Sequence, residues 1–155
     1  MSTTTLKESI AVVVYSPNEP GKVLLVQRPE EDAELPGIWG LPAVTLQPGE
    51  SDEAALRRLV RQKLGTELLE FRFLCSGEQQ RAQYRLRMRL YGALLAGTPR
   101  LPQDAPRTAT YYRQWRWGEL EELRAGALQG SLCCQLALDY HGHESGAGAA
   151  GGSLP

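Results

Sequence analysis

This sequence has few cysteines and few histidines, and its net charge is small. The chain of 155 residues has three cysteines and two histidines, and its formal net charge is −1. Three cysteines cannot all pair, and Cys133 and Cys134 are adjacent, which favours a reducing cytoplasm over a disulfide framework. Because the charges balance, no overall field draws the chain to nucleic acid or to an anionic membrane. We therefore predict a cytoplasmic protein with no membrane partner, and nucleic acid is not an expected ligand.

Long apolar runs and several catalytic motifs are absent as well. No apolar stretch approaches the length of a membrane span, and residues 1–7 are too polar for a signal peptide. The sequence has no Gly-x-Ser-x-Gly motif and no Walker-type glycine loop. Its 42% hydrophobic and 23% charged residues are typical of one globular domain of ordinary size. We predict this domain over residues 9–141, between an N-terminal tail at 1–8 and a disordered Gly/Ala-rich tail at 142–155.

Strand-like runs lie on both sides of one strong helix. Residues 84–95 alternate most clearly, with Arg85, Arg87 and Arg89 on one face and apolar side chains on the other. The complete prediction comprises strands over 9–15, 22–27, 38–44, 70–75, 84–95 and 111–117, a helical turn over 119–123 and a final helix over 131–140. Residues 97–110 contain three prolines and predict a connecting loop. This order indicates an α+β domain with a mixed β-sheet.

The strong helix has clear start and stop signals. Ser51 is the predicted N-cap, and Asp52 and Glu53 place negative charge where the helix dipole favours it. Gly65 is the predicted left-handed residue at the helix end. The apolar positions of the helix form one arc: Ala55, Leu56, Leu59, Val60 and Leu64. These features together predict a helix between residues 51 and 65.

The residues around this helix resemble the signature of the Nudix hydrolases. That signature reads Gly, five residues, Glu, seven residues, Arg-Glu, an aliphatic residue, any residue, Glu-Glu, any residue and Gly. Trp-Gly-Leu-Pro stands at 39–42 of this sequence, and Glu50, Arg58 and Gly65 follow at the spacings of the signature. The resemblance implies a Nudix-like α/β/α sandwich with a mixed sheet. It also implies nucleotides or other diphosphate compounds as ligands, and hydrolysis of a phosphoanhydride bond if the protein is active.

The positions that bind metal in the family hold other residues in this chain. The three helical glutamates of the signature correspond to Leu59, Gln62 and Lys63, and its opening glycine corresponds to Val44. Three carboxylates on one helical turn hold a divalent cation, which in turn holds the substrate phosphates. Leucine offers no ligand, glutamine offers a neutral oxygen, and lysine brings a positive charge. We therefore predict no metal site and no cofactor, with magnesium or manganese expected only if the protein is hydrolytically active.

Several charged residues are candidates for the site. The resemblance implies a salt bridge between Glu50 and Arg58 that holds a loop against the helix. Glu50 and Glu53 are the candidate catalytic acids. The candidate ligand-binding residues are all cationic: Arg28, Arg58, Lys63, Arg85, Arg87 and Arg89. The last three form a ladder of like charges on one strand face, so they need acidic partners or an anionic ligand.

Lys63 admits two interpretations because it falls inside the apolar arc of the helix. In the first, its stem lies on apolar surface and its ammonium group reaches water, helped by the helix dipole. In the second, the ammonium group takes the place of the missing cation and binds a diphosphate directly. The second interpretation preserves anion binding while it removes the means of activating water.

Three functional hypotheses follow. The leading one is a Nudix-fold protein that binds a nucleotide or another diphosphate-containing small molecule, with weak or lost hydrolysis. The second is an active pyrophosphohydrolase whose metal ligands have moved to Glu50, Glu53 and Glu78. The third is a non-catalytic interaction module, such as a homodimer, that uses the sheet edge or the apolar helix face. Residues 35–42 also resemble the Nudix-like domain of adenine DNA glycosylases, but the basic balance of an autonomous DNA binder is missing.

Overall fold

The computed structural model describes residues 5–102 and 111–146. Within these ranges the chain forms strands, three α-helices and one short 3₁₀ helix. The strands are β1 (Thr5–Val14), β2 (Lys22–Gln27), β3 (Trp39–Gly40), β4 (Ala43–Thr45), β5 (Leu68–Gln80), β6 (Tyr84–Leu95) and β7 (Gln114–Glu119). The helices are α1 (Asp52–Leu64), the 3₁₀ helix Leu120–Leu123, α2 (Arg124–Leu128) and α3 (Leu132–Gly146).

The strands form two sheets, and the larger sheet is mixed. Its order is β4-β1-β6-β5, with β1 and β6 parallel and the other neighbours antiparallel. The smaller sheet has the order β3-β2-β7 and is antiparallel throughout. The predicted α+β fold with a mixed sheet is confirmed.

The larger sheet lies between two helical layers. Successive side chains of a strand point to opposite faces, so Val12 and Val13 of β1 enter different hydrophobic cores. Val12 packs with the apolar residues of α1, and Val13 packs with those of α3. Both valines are fully buried. This arrangement is the expected α/β/α sandwich, and it places α1 beside the short strand β4.

Helix α1 begins and ends where its sequence signals predict. The side chain of Ser51 accepts a hydrogen bond from the backbone N–H of Ala54, and Gly65 takes the left-handed conformation with φ 63°. All five apolar positions of the predicted arc are buried against the sheet. The apolar helix face, which was one candidate interaction surface, is therefore covered, and that part of the third hypothesis is wrong.

The two ends of the domain extend beyond their predicted limits. Strand β1 starts at Thr5, inside the predicted tail, because its ladder with β6 continues to the pair Thr5 and Tyr84. Helix α3 continues to Gly146, past the predicted limit at 141. The remainder of the predicted tails lies outside the described residues. None of the described helices has both the length and the hydropathy of a membrane-spanning segment.

Tertiary pairing also changes three predicted strands. The segment 38–44 divides into β3 and β4, which belong to different sheets, and Pro42 between them has no N–H for a continuous ladder. Strand β5 extends past its predicted end at 75 because β6 supplies partners as far as the pair Gln80 and Arg85. Strand β7 begins at Gln114 rather than at 111.

Candidate functional site

A cavity of about 930 Å³ lies beside β4, at the edge of the larger sheet. Its walls come from β1, β4, β6 and α1, from the loop at 29–35 and from the start of α3. Four cationic side chains line it: Lys7, Arg28, Lys63 and Arg81. Three acidic side chains of the loop line it as well: Glu31, Asp32 and Glu34. The cavity is therefore rich in charge, and it contains two of the predicted ligand-binding residues.

Lys63 reaches the cavity from α1. Its Nζ donates a hydrogen bond to the carbonyl oxygen of Ala43 at 3.0 Å and lies 5.3 Å from the ring centre of Tyr112. Burial, together with the charges of Arg28 and Arg58, lowers the pKa of Lys63 to about 8. The ammonium group thus faces the cavity, and only one of its three protons is used by Ala43.

Tyr112 fixes the peptide that Lys63 contacts. Its hydroxyl accepts a hydrogen bond from the N–H of Ala43 at 2.9 Å and donates one to the carbonyl oxygen of the same residue at 3.2 Å. Burial raises the pKa of Tyr112 to about 12, so its hydroxyl stays protonated. Tyr112 thereby fixes the position of β4 next to the ammonium group of Lys63.

Arg28 lies where β2 ends and is paired with Asp32. Its Nη1 contacts both carboxylate oxygens of Asp32 at 3.1 and 3.2 Å. The same carboxylate accepts the backbone N–H groups of Glu34 and Leu35 at 3.2 and 2.8 Å. Burial opposes the ionised form, but the hydrogen bond from Leu35 and the charge of Arg28 hold the pKa of Asp32 below its usual range. Asp32 therefore anchors the loop and offsets the charge of Arg28.

Glu50 and Arg58 form the salt bridge that the resemblance implies. Nε and Nη2 of Arg58 each donate to one carboxylate oxygen of Glu50 at 2.8 Å, and Nη2 also donates to the carbonyl oxygen of Thr45. Hydrogen bonds from Arg58 and from the N–H of Gln47 lower the pKa of Glu50 to about 2. The pair braces the loop before α1 against the helix. Neither residue lines the cavity.

The three predicted arginines of β6 lie outside the cavity. Alternate residues of β6 face opposite sides, so Leu86 and Met88 line the cavity while the arginines point away. Acidic groups satisfy the arginine ladder, as its charge required: Arg85 and Arg87 bind Glu78, and Arg89 binds Asp52 and Glu8. The second candidate acid, Glu53, forms an exposed pair with Arg57 on the outer surface of α1. The structure thus brings Arg28 and Lys63 together and leaves these residues elsewhere.

Sequence reasoning missed most residues of the cavity wall, among them Lys7, Arg81 and Tyr84. Arg81 lies in the tight turn between β5 and β6, and Lys7 belongs to the predicted tail. No local pattern marks either of them. Tyr84 had a signal, because it begins the face of β6 that carries Leu86 and Met88.

The donor atoms on α1 do not fit a magnesium site. Leu59 is fully buried in the core, Gln62 is exposed and Lys63 brings a positive charge. Hard divalent cations require several oxygen ligands, which these positions do not offer. Within the described part of the chain, no group of three or more Asp, Glu, His or Cys residues is arranged to hold a metal ion.

Comparison with known proteins identifies the family of this α/β/α sandwich. The family model of the NUDIX domain matches residues 5–132, and the chain belongs to that family. The MutT NUDIX hydrolase from Burkholderia pseudomallei superposes with a TM-score of 0.69 at 21% identity, over 88% of this chain and 98% of that chain. The NUDIX domain of Shewanella oneidensis NrtR, solved as a complex with ADP ribose, superposes with a TM-score of 0.62 at 23% identity, over 92% and 90% of the two chains.

Curated relatives are similar over a shorter region. The nucleoside triphosphatase NudI of Escherichia coli O1:K1 / APEC is 41% identical over 49 residues, which is 32% of this chain and 35% of the relative. The aligned region spans about a third of the length of the curated relatives that the chain matches. The structural likenesses establish the fold, and the short alignment agrees with the family.

Proposed function

We propose that the protein binds a nucleotide or another diphosphate-containing small molecule in this cavity, and that metal-dependent pyrophosphohydrolase activity is weak or lost. The observation that carries the proposal is the position of Lys63. Its ammonium group lies in the cavity where the family signature has a glutamate, and it retains donors beyond the one bound to Ala43.

The charge of Lys63 supports anion binding without metal, and Arg28 adds a guanidinium group whose charge Asp32 offsets. Phosphate oxygens form strong hydrogen bonds with ammonium and guanidinium groups, and a partly desolvated site strengthens them. A divalent cation would also lower the pKa of a bound water and polarise the phosphoryl group. An ammonium group does neither to a comparable degree. Binding without efficient hydrolysis is the expected combination.

The relatives support the ligand class. The NUDIX domain of NrtR was solved with ADP ribose, which contains a diphosphate, and the curated relatives are named nucleoside triphosphatases. Both names refer to nucleotides or their derivatives. The ligand class proposed for this protein is the chemistry common to both, a diphosphate group linked to a nucleoside.

The alternative of an active hydrolase has support from the names of the relatives alone. Its three proposed metal ligands are each held by a different basic partner: Glu50 by Arg58, Glu53 by Arg57, and Glu78 by Arg85 and Arg87. A metal would have to displace these partners. The described geometry therefore favours the binding protein over the relocated metal site.

Calorimetric titration with ADP-ribose, ADP and ATP tests the proposal, in magnesium and in EDTA, with product release measured in parallel. We expect binding in both buffers and little turnover in either. Lys63→Gln should weaken binding, whereas the matched variant Lys22→Gln should not, since Lys22 pairs with exposed Glu119 away from the cavity. Absence of binding for all three compounds would refute the proposal. Turnover that Glu50→Gln abolishes would establish the hydrolase instead.

The cellular location and the oligomeric state stay predictions. The free thiols of Cys75, Cys133 and Cys134 support a reducing compartment such as the cytoplasm. Strand β5 lies at the edge of the larger sheet with Leu69 and Phe73 exposed, which leaves an edge for a homodimer.

A further inference from the structure

We propose that Arg81, Tyr84 and Lys7 form a second anion-binding subsite in the cavity, which the carboxylate of Glu34 fills as an internal competitor. The subsite would take a phosphate group that the ligand carries in addition to its diphosphate. The inference rests on the proposed function for the diphosphate itself. It adds a determinant of specificity, because a ligand with the extra phosphate gains contacts that a plain diphosphate does not.

Arg81 has an unused hydrogen-bond donor at this position. Its Nη1 donates to Glu34 at 2.9 Å, but its Nε is buried and has no hydrogen-bond partner among the described residues. Arg58 and Arg89 each bind a carboxylate through Nε and Nη2 together. The Nε of Arg72 is also buried without a partner among the described residues, but Arg72 does not line the cavity. An unsatisfied buried donor is costly, and a phosphate group has enough oxygens to engage more than one edge of a guanidinium. The carboxylate of Glu34 thus satisfies Arg81 only in part.

Tyr84 and Lys7 complete the subsite. The hydroxyl of Tyr84 donates to the carboxylate of Glu34 at 2.9 Å, so Arg81 and Tyr84 converge on one anion. The ammonium group of Lys7 lies 4.5 Å from the ring centre of Tyr84, and within the described ranges no carboxylate pairs with it. Arg81 and Lys7 therefore both contribute positive charge around Tyr84, and the carboxylate that Arg81 and Tyr84 contact there is that of Glu34. A group with more than one negative charge would interact with both cations more strongly than one carboxylate does.

Glu34 is placed to leave this subsite readily. Its side chain is 45% exposed, so its carboxylate can be hydrated when it moves away. The loop need not unfold for this motion, because the buried carboxylate of Asp32 holds the backbone N–H groups of Glu34 and Leu35. Rotation of one side chain is sufficient to open the subsite. An anion that replaces the carboxylate of Glu34 would then contact Arg81, Tyr84 and Lys7, because that carboxylate no longer occupies the subsite.

ADP-ribose and ADP-ribose 2′-phosphate are suitable probes, since they differ by one phosphate group. Calorimetric titration should show tighter binding of the phosphorylated compound to the wild type. Glu34→Gln should tighten the binding of the phosphorylated compound by about tenfold and leave the affinity for ADP-ribose unchanged. Arg81→Gln should remove the difference in affinity between the two compounds. Glu30→Gln is the matched control, because Glu30 lies in the same loop but pairs with exposed Arg113 outside the cavity wall. Equal affinities of both compounds in every variant would overturn the inference.

A titration with inorganic phosphate separates this inference from the proposed function. The NMR signal of the Arg81 Nε–H group, identified by its loss in Arg81→Lys, should shift on addition of phosphate. In Glu34→Gln the same shift should occur at a lower phosphate concentration. If phosphate moves this signal while ADP-ribose does not bind, the subsite stands and the proposed function fails. If ADP-ribose binds while phosphate leaves the signal unmoved in both proteins, the subsite is refuted.

Discussion

The ammonium group of Lys63 donates a hydrogen bond to the carbonyl oxygen of Ala43 at 3.0 Å, which ties α1 to β4. The contact places a positive charge at a position where the family signature has a metal-binding glutamate. Tyr112, which precedes β7, binds the N–H and the carbonyl oxygen of Ala43, so the position of the charge is supported by α1, by β4 and by the segment before β7. A lysine fixed in this way can attract phosphate but cannot bind a divalent cation.

Ligand affinity should fall as pH rises through about 8. Lys63 has a lowered pKa of about 8, so its ammonium group is present below that pH and is lost above it. At one pH unit above the pKa about one tenth of the molecules keep the charge, so the affinity for ADP-ribose should fall by up to about tenfold. Calorimetric titration between about pH 7 and pH 9.5 measures this.

Lys63→Arg provides the control for that pH profile. Arginine stays protonated over the whole range, so the affinity of this variant should not depend on pH. A flat wild-type profile would contradict the role of Lys63 in binding. A pH dependence that Lys63→Arg shares would show that another group titrates.

Glu50→Gln should destabilise the fold by about 2 kcal/mol at neutral pH, because it removes one partner of a shielded, bidentate ion pair. The folded-state pKa of Glu50 is about 2, below its ordinary value of 4.5. The stability from this group is therefore present above about pH 4.5 and is lost as pH falls towards 2, so the two proteins should converge in acid. Urea denaturation at several pH values measures the difference. Glu53→Gln, which breaks an exposed pair, should cost less than about 0.5 kcal/mol.

Magnesium should not stabilise the free protein. A ligand that binds the folded state raises the melting temperature according to its concentration and affinity. Because positions 59, 62 and 63 offer no carboxylate, we expect equal melting temperatures in EDTA and in millimolar magnesium. Calorimetric melting curves check this. A melting temperature that is higher in magnesium than in EDTA, with no such difference in Glu50→Gln, would contradict the absence of a metal site.

Gly65→Ala should cost about 2 kcal/mol or more. Gly65 adopts φ 63°, and an added Cβ would collide with the carbonyl oxygen of Arg100. Gly21→Ala is the matched control, since Gly21 also has a positive φ of 84° but open space around its Cβ position. Urea denaturation of both variants should show the larger loss for Gly65→Ala. Equal losses would mean that the backbone conformation alone accounts for the effect.

Features that depend on neighbouring residues were predictable from the sequence. Capping by Ser51, the helix end at Gly65 and the limits of β6 all follow from local spacing. The signature around Glu50 and Arg58 predicted their salt bridge as well. The buried position of the arc on α1 was implicit in its period, because a 3.6-residue repeat gives a helix one apolar side.

The contacts between distant segments were decided only by the tertiary structure. The position of the Lys63 ammonium group depended on where β4 and Tyr112 lie, and the partners of the β6 arginines could be assigned only after the face occupied by the cavity was known. The cavity wall also joins Lys7, Arg81 and Glu34, which are far apart in the chain. Local periodicity determines which side chains share a face. Strand order and loop closure determine what that face meets, because both arise from contacts that no short segment encodes.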